Sequence, residues 1–218
     1  MKRYFITLTL LCLTAISYGQ TIVGVKGNDP FLTFNAFTNV KSNESYNMEI
    51  FAEGLLPNVG VFVNVPFSSH FGFQAEFMYK QEIISFQKRG ENLDKKDRQF
   101  IRFGSIEVPL LLHIQGNNPF RGFGQIGVAP KFLLNATYSE KQRSDRENIS
   151  RYFNSTQLTF HIGGGVMWNS PKWVFMIDGR FSGSLTAISN ETHSPFLNFK
   201  DADSVYVTFS VGVGYKIR

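Results

Sequence analysis

The sequence predicts an all-β protein: an eight-stranded antiparallel up-and-down transmembrane β-barrel. Three observations predict it: strict alternation of apolar and polar residues, connections that alternate between long and short, and an N-terminal export signal. The alternation is clearest in the last strand, 204–217, where every odd position is apolar and most even positions are Ser, Thr, Gly or Lys. A period of two indicates a strand with one apolar face. That face must lie against a core or against lipid.

Residues 1–19 have the pattern of a signal peptide. Two basic residues precede an apolar run over 4–16, and Ser17 and Gly19 place small residues where a signal peptidase cleaves. The run is shorter than the ~20 apolar residues of a membrane-spanning helix. We therefore expect cleavage near Gln20 and an outer-membrane β-barrel domain over 20–218.

The composition of the exported domain excludes several classes of protein. The single cysteine, Cys12, lies inside the predicted signal, so the domain can form neither a disulfide nor a thiolate metal site. Twenty basic residues against seventeen acidic ones remain after the signal is removed. This excess is too small to indicate nucleic-acid binding. An exported chain without disulfides must be stabilised by a large core or by a membrane.

The connections between the predicted strands alternate in length. The eight strands lie at roughly 21–27, 57–67, 71–86, 99–114, 120–137, 152–168, 173–187 and 204–217. Tight turns occupy 68–70, 116–119 and 169–172, and long polar connections occupy 28–56, 87–98, 139–151 and 188–203. In an up-and-down sheet this places every long loop at one end, and the tight turns with both termini at the other. Outer-membrane barrels have this asymmetry, with short turns on the periplasmic side.

Alternation alone does not orient the two faces, because a soluble lipocalin-like barrel would place the apolar set inside. The aromatic residues of the apolar set favour a lipid-facing surface. Those near the tight turns, where an interfacial girdle would lie, are Phe67, Phe71, Phe120, Trp168, Trp173 and Tyr215. Three more of this set, near the long loops, are Phe100, Tyr138 and Tyr152.

The polar set contains many glycines and both signs of charge at mid-strand. Eight strands leave an interior just wide enough for side chains, and buried charges must be paired. We therefore predict a polar network in the lumen. Its members are Glu76, Lys80, Glu107, Arg121, Lys131, Asp178 and Arg180.

No arrangement of residues predicts catalysis. His161, Asp178 and Ser182 share the inward parity, and pairing across the last tight turn places His161 opposite Arg180 and Asp178 near Gly163. Nothing in this spacing requires a Ser–His–Asp chain. The four histidines are scattered, without the paired spacing of a metal site. We expect no catalytic site, no metal and no cofactor.

Four segments resemble a known family. They are 22–28 (IVGVKGN), 105–112 (SIEVPLLL), 161–166 (HIGGGV) and 178–182 (DGRFS). On these segments the chain resembles the PorT-type outer-membrane β-barrel proteins of the Bacteroidetes. The resemblance implies an outer-membrane barrel and no particular reaction. The founding type is linked to protein secretion and gliding machinery.

The end of the last strand is similar to the signal that the barrel-assembly machinery reads. A polar residue is followed two positions later by glycine and then by two apolar positions: Ser210, Gly212, Tyr215 and Ile217. Arg218 departs from this pattern, since such proteins commonly end on an aromatic residue.

The sequence thus predicts a non-catalytic integral protein of the Gram-negative outer membrane, of structural or interaction type, as an accessory of a secretion or cell-surface complex. Two alternatives remain open: a narrow outer-membrane pore and a soluble periplasmic lipocalin-like lipid carrier. The expected partners are outer-membrane lipid, the barrel-assembly machinery and an envelope protein, with no nucleic acid. Lipopolysaccharide phosphates could face the basic residues of 88–98.

Overall fold

The computed structural model describes residues 20–28, 34–38, 48–53, 58–88, 94, 97–141, 145–189 and 203–217. The predicted signal peptide, 1–19, lies outside the described residues. The strands are β1 (Thr21–Asn28), β2 (Phe34–Thr38), β3 (Met48–Glu53), β4 (Val59–Pro66), β5 (Phe71–Lys88), β6 (Gln99–Glu107), β7 (Leu110–Gln115), β8 (Phe120–Ser139), β9 (Glu147–Asn148), β10 (Thr156–Asn169), β11 (Trp173–Ser184) and β12 (Asp203–Ile217). A 3₁₀ turn spans Ser150–Tyr152.

The strands form one antiparallel sheet that closes on itself. The order runs β1, β4, β5, β6 with β7, β8, β10, β11 and β12, and β12 pairs back to β1 from Thr21↔Ile217 to Asn28↔Ser210. When β6 and β7 are counted as one strand, the ring has eight strands. The predicted fold class is confirmed.

β6 and β7 act as a single strand of the barrel wall, because both pair with β5 and with β8 in one continuous register. On β5, Glu107 pairs with Met78 and Leu110 with Ala75, so no residue is inserted between them. Pro109 has no N–H to give to the ladder, which interrupts the hydrogen bonding without displacing the strand. The predicted strand 99–114 is therefore continuous in space.

The predicted long connection 28–56 is wrong in part, because it contains two strands. β2 pairs with β12 over 203–207, and β3 pairs with β5 over 83–88. β12 and β5 extend past the ends of β1 and β4, which would leave their backbone edges without partners. Unpaired edges are unfavourable, and β2 and β3 supply the missing hydrogen bonds.

A β-bulge in β8 reverses its alternation near the long loops. Ser105 pairs with Leu133 but Gly104 pairs with Asn135, which leaves Leu134 as an extra residue on β8. Because side chains alternate with period two, one inserted residue moves all later side chains to the opposite face. Tyr138 consequently points inward and is 5 % exposed.

The prediction that the three aromatics near the long loops are exposed to lipid is wrong, although Phe100 keeps the outward parity, since it pairs with Ser85 and not with the inward Ile84. Tyr138 was assigned by an alternation that the bulge interrupts. Phe100 is 1 % exposed, with the Arg102 guanidinium 5.2 Å from its ring centre. Tyr152 packs partly buried against an interior cluster.

The remaining apolar faces point outward. Val25, Phe120 and Val211 are exposed by 61 %, 65 % and 62 % of their surface. The six aromatics predicted to form a girdle are all exposed, and the Trp173 and Tyr215 rings meet edge to face at 5.1 Å. Within the described residues, no helix is both long and apolar enough to cross a membrane.

Candidate functional site in the barrel lumen

The lumen contains a first ion network at mid-barrel, named here the lower network. Arg180 donates from Nη1 to Glu76 Oε2 (2.9 Å) and from Nη2 to Glu76 Oε1 (2.8 Å). Lys26 Nζ lies 2.7 Å from Asp178 Oδ2 and 3.2 Å from Glu76 Oε1. Gln125 links the two sides, since it accepts from Arg180 and donates to Asp178 at 3.1 Å. Two cations and two carboxylates thus neutralise one another.

A second ion network, named here the upper network, lies nearer the long loops. Lys80 contacts Glu107, and Lys131 Nζ donates to both carboxylate oxygens of Glu82 at 2.8 and 2.9 Å. Glu107 Oε1 also accepts from Tyr206 Oη at 2.6 Å. All four charged side chains are buried, and their charges cancel. Because isolated buried charges are costly, this pairing is what permits a polar interior.

Apolar layers cover both networks. The layer below the lower network, named here the floor, consists of Ile22, Phe62, Phe123, Met167, Val174 and Met176. The layer above the upper network, named here the cap, consists of Ile84, Phe86, Ile101, Phe103, Ala136, Tyr138, Ile149, Phe153 and Ile188. Phe103 and Phe153 meet edge to face at 4.9 Å within the cap. Among the described residues, the lumen is therefore filled from the floor to the cap.

The structure brings together six of the seven residues assigned to the lumen network from the sequence. Glu76, Asp178 and Arg180 lie in the lower network, and Lys80, Glu107 and Lys131 in the upper one. Arg121 is separate. It faces inward below the floor, at the tight-turn end, where its guanidinium donates to the Asn169 side-chain oxygen at 3.0 and 3.1 Å when that amide is oriented to accept.

Sequence reasoning missed three charged or aromatic members. Lys26 shares the inward parity of β1, but it lies near the end of a short strand. Glu82 continues the series Glu76 and Lys80 by one more alternation. Tyr206 is the one large ring on the polar face of β12, and this exception was the signal that it had a specific partner.

Comparison with known families agrees with this architecture. The family model described as "Outer membrane protein beta-barrel domain" matches residues 22–190. The chain belongs to this outer-membrane β-barrel family. The protein is therefore located in the outer membrane. A comparison with curated proteins finds no match.

Solved structures similar to this outer-membrane barrel are distant in sequence. OprG from Pseudomonas aeruginosa aligns over 92 % of this chain and 97 % of its own, with a TM-score of 0.56 and 12 % identity. Ail, the attachment invasion locus protein of Yersinia pestis, covers 91 % and 100 % with a TM-score of 0.45 and 14 % identity. The outer membrane protease OmpT from Escherichia coli covers 91 % and 97 % with a TM-score of 0.40 and 7 % identity. The likeness to OprG is one of fold.

The barrel does contain a chain of Ser, His and carboxylate. Ser182 Oγ lies 2.7 Å from His161 Nδ1, and His161 Nε2 lies 3.4 Å from Glu107 Oε1. The predicted register was wrong by two residues, since His161 pairs with Ser182, and Asp178 with Gly165. The turn is centred between Pro171 and Lys172, one residue later than expected, because proline is favoured at the second position of such a turn.

This Ser–His–Glu chain is sealed. Ser182 and Glu107 are 0 % exposed and His161 is 1 % exposed, between the floor and the cap. A nucleophile must reach its substrate. In this barrel His161 is held between Ser182 and Thr159, and Thr159 donates in turn to Glu107 Oε1 at 2.8 Å. The part of the chain that the structure describes has no cluster of three or more His, Cys, Asp or Glu residues able to hold a metal ion.

The four residues of the C-terminal assembly pattern divide between the two faces of β12. Ser210 faces inward, and its hydroxyl lies 3.5 Å from Asp178 Oδ1. Gly212 also faces inward, where a Cβ would lie 2.8 Å from Met176 Cγ. Tyr215 and Ile217 face outward and are exposed. The outward pair is thus exposed, while the inward pair lies in the lumen.

Proposed function

We propose that this outer-membrane barrel is a non-catalytic protein of interaction type, whose lumen is a structural plug and whose partner contacts lie in its loops. The observation that carries the proposal is the filled lumen, with two neutral ion networks between two apolar layers. In keeping with the PorT-type resemblance, the barrel acts as an accessory of a secretion or cell-surface complex. The burial of Ser182, His161 and Glu107 supports a role without catalysis at that chain.

A pore is the less favoured alternative. The cavity among Glu82, Lys131 and Gln157 at the base of the cap holds about 10 Å³. That is space for about one water molecule. A hydrated ion would have to break both networks and pass two apolar layers.

A lipid carrier is disfavoured for a different reason, because the apolar faces point outward and the interior is polar.

At the loop end, the described segment 148–154 is tied to the neighbouring strands by hydrogen bonds, which supports a docking role. Ile149 N donates to Ala136 O at 2.9 Å, and Ala136 N donates to Ser150 Oγ at 2.8 Å. Asn154 ties this segment to Ala187 O at 2.9 Å and to Ile188 O at 2.9 Å. A surface fixed before binding loses less entropy when a partner arrives.

Site-specific photocrosslinking in the native envelope tests the proposal. A photoreactive residue at Glu140 or Arg151, both exposed at the loop end, should crosslink to one defined envelope protein. The matched control at Ile126, exposed on the lipid-facing surface, should not capture that protein. If neither loop position forms a crosslink while solute uptake depends on the barrel, the interaction role is contradicted and the pore is favoured.

A further inference from the structure

The tight-turn end of the barrel has a blind cup below the floor. It is open to one side, has a volume of about 420 Å³, and is lined by Ile22 from the floor, by the cations Arg121 and Lys216, and by the amides of Gln115, Asn117 and Asn169. This volume is in the range of small-ligand pockets. Short turns of outer-membrane barrels face the periplasm, so the cup opens to that side.

Within the part of the chain that the structure describes, the positive charge of the cup is not compensated by a carboxylate. Arg121 donates to the Asn169 amide oxygen, and Lys216 Nζ donates to Ser170 O at 2.8 Å. Both acceptors are neutral, and neither cation has a carboxylate partner among the described residues. None of the seventeen acidic residues falls in the tight turns or in the strand ends beside them. The carboxylates nearest along the strands, Glu76 and Asp178, are already neutralised by Lys26 and Arg180.

The contacts of Arg121 and Lys216 fix the positions of these two cations and leave some of their N–H donors free for a ligand. The Asn169 oxygen fixes the Arg121 guanidinium through Nε and Nη2, which leaves Nη1 to donate elsewhere. The Lys216 ammonium has three donors, and one of them is used by Ser170 O. The amides around them can both donate and accept, as peptide groups require.

We propose that this cup binds a short acidic peptide segment of a periplasmic partner. Arg121 and Lys216 would each donate a charge-assisted hydrogen bond to a side-chain carboxylate, and the amides of Gln115 and Asn117 would bond its backbone. The lining favours a peptide over a small free anion, because amides and apolar Ile22 surround the two cations. The inference rests on the proposed interaction role and names the chemistry of a partner at the end opposite the loops.

Binding of synthetic peptides to the full-length barrel in lipid nanodiscs tests the inference, because both faces are then accessible. Acetyl-Asp-Glu-Asp-Glu-amide carrying a neutral dye should raise fluorescence anisotropy, and acetyl-Asn-Gln-Asn-Gln-amide should not. Arg121→Gln and Lys216→Gln should each weaken binding about tenfold, the loss expected for one charge-assisted hydrogen bond. Lys172→Gln is the matched control, since it removes an equal charge from an exposed turn at the same end without lining the cup.

Three results would overturn the inference. They are equal binding of the amide peptide, an equal loss in Lys172→Gln, or displacement of the peptide by an equal concentration of inorganic phosphate. The last would indicate a small-anion site. Heat-modifiable migration on an unboiled gel checks the folding of each variant, and Arg121→Lys, which keeps the charge, should retain most of the affinity. None of these results affects the loop-end crosslinks, so the two proposals fail separately.

Discussion

Replacement of Glu76 by glutamine removes the central carboxylate of the lower network while keeping its shape. In the native barrel Glu76 accepts two hydrogen bonds from Arg180 and one from Lys26. After Glu76→Gln, Lys26 keeps Asp178 at 2.7 Å, but the nearest remaining carboxylate oxygen to Arg180 is Asp178 Oδ1 at 3.9 Å. A buried arginine is left without a close counter-charge.

The expected loss in the free energy of unfolding is about 3–5 kcal/mol, the usual effect of removing one partner from a buried ion pair. The matched control is Glu140→Gln, the same change at an exposed position, with an expected effect within about 0.5 kcal/mol. Glu76→Gln combined with Arg180→Met restores neutrality. The double variant should therefore lose less stability than the two single variants together, with a coupling of about 1–3 kcal/mol.

Urea titration of the barrel refolded in phosphatidylcholine vesicles, followed by the fluorescence of Trp168 and Trp173, measures these differences. Both tryptophans lie on the outer surface near the tight turns, away from the altered network. The reasoning would be refuted if Glu76→Gln unfolded at the same urea concentration as Glu140→Gln. Additive effects of Glu76→Gln and Arg180→Met would refute the pairing itself.

Three other predictions concern packing, reactivity and lipid. Gly165→Ala should destabilise the barrel by about 1–3 kcal/mol in the same urea titration, because the added Cβ would lie 2.7 Å from Asp178 Cα. Gly122→Ala is the control and should be tolerated, because the nearest atom to its added Cβ lies at 3.8 Å. Ser182 should resist a fluorophosphonate probe in the folded barrel, as judged by mass spectrometry, and labelling there would contradict a sealed lumen. Charge reversal of the basic residues in 88–98 should weaken co-sedimentation with lipopolysaccharide vesicles, and unchanged co-sedimentation would remove that partner.

The sequence was sufficient to predict the ring, because alternation and connection length are properties of neighbouring residues. It could not locate β2 and β3, since their pairing compensates for length differences between strands far apart in the chain. The bulge at Leu134 was equally inaccessible, because the preceding alternation continues through it without a visible break. Its consequence was the incorrect outward assignment of Tyr138.

The alternation of side chains along each strand was sufficient to predict which residues face the lumen, but not which of them pair with one another. Parity places Arg121 and Arg180 on the same face, although only the stagger of the strands decides that Arg180 meets Glu76 and that Arg121 falls below the floor. Lys26 reaches Glu76 and Asp178 from a strand end, and no local pattern contains that contact. Pairing across a barrel depends on register, and an error of one residue in the centre of the tight turn moved the expected partner of His161 by two residues.

Single-channel recording in a planar lipid bilayer tests the central claim most directly, namely that the lumen is filled and carries no solute. The wild-type barrel, inserted at a density verified by heat-modifiable migration, should show no unitary conductance above the baseline, with an open sixteen-stranded porin as the positive control. Reproducible conductance steps from the folded wild-type protein would contradict the account, because they would require a water-filled path through both ion networks and both apolar layers.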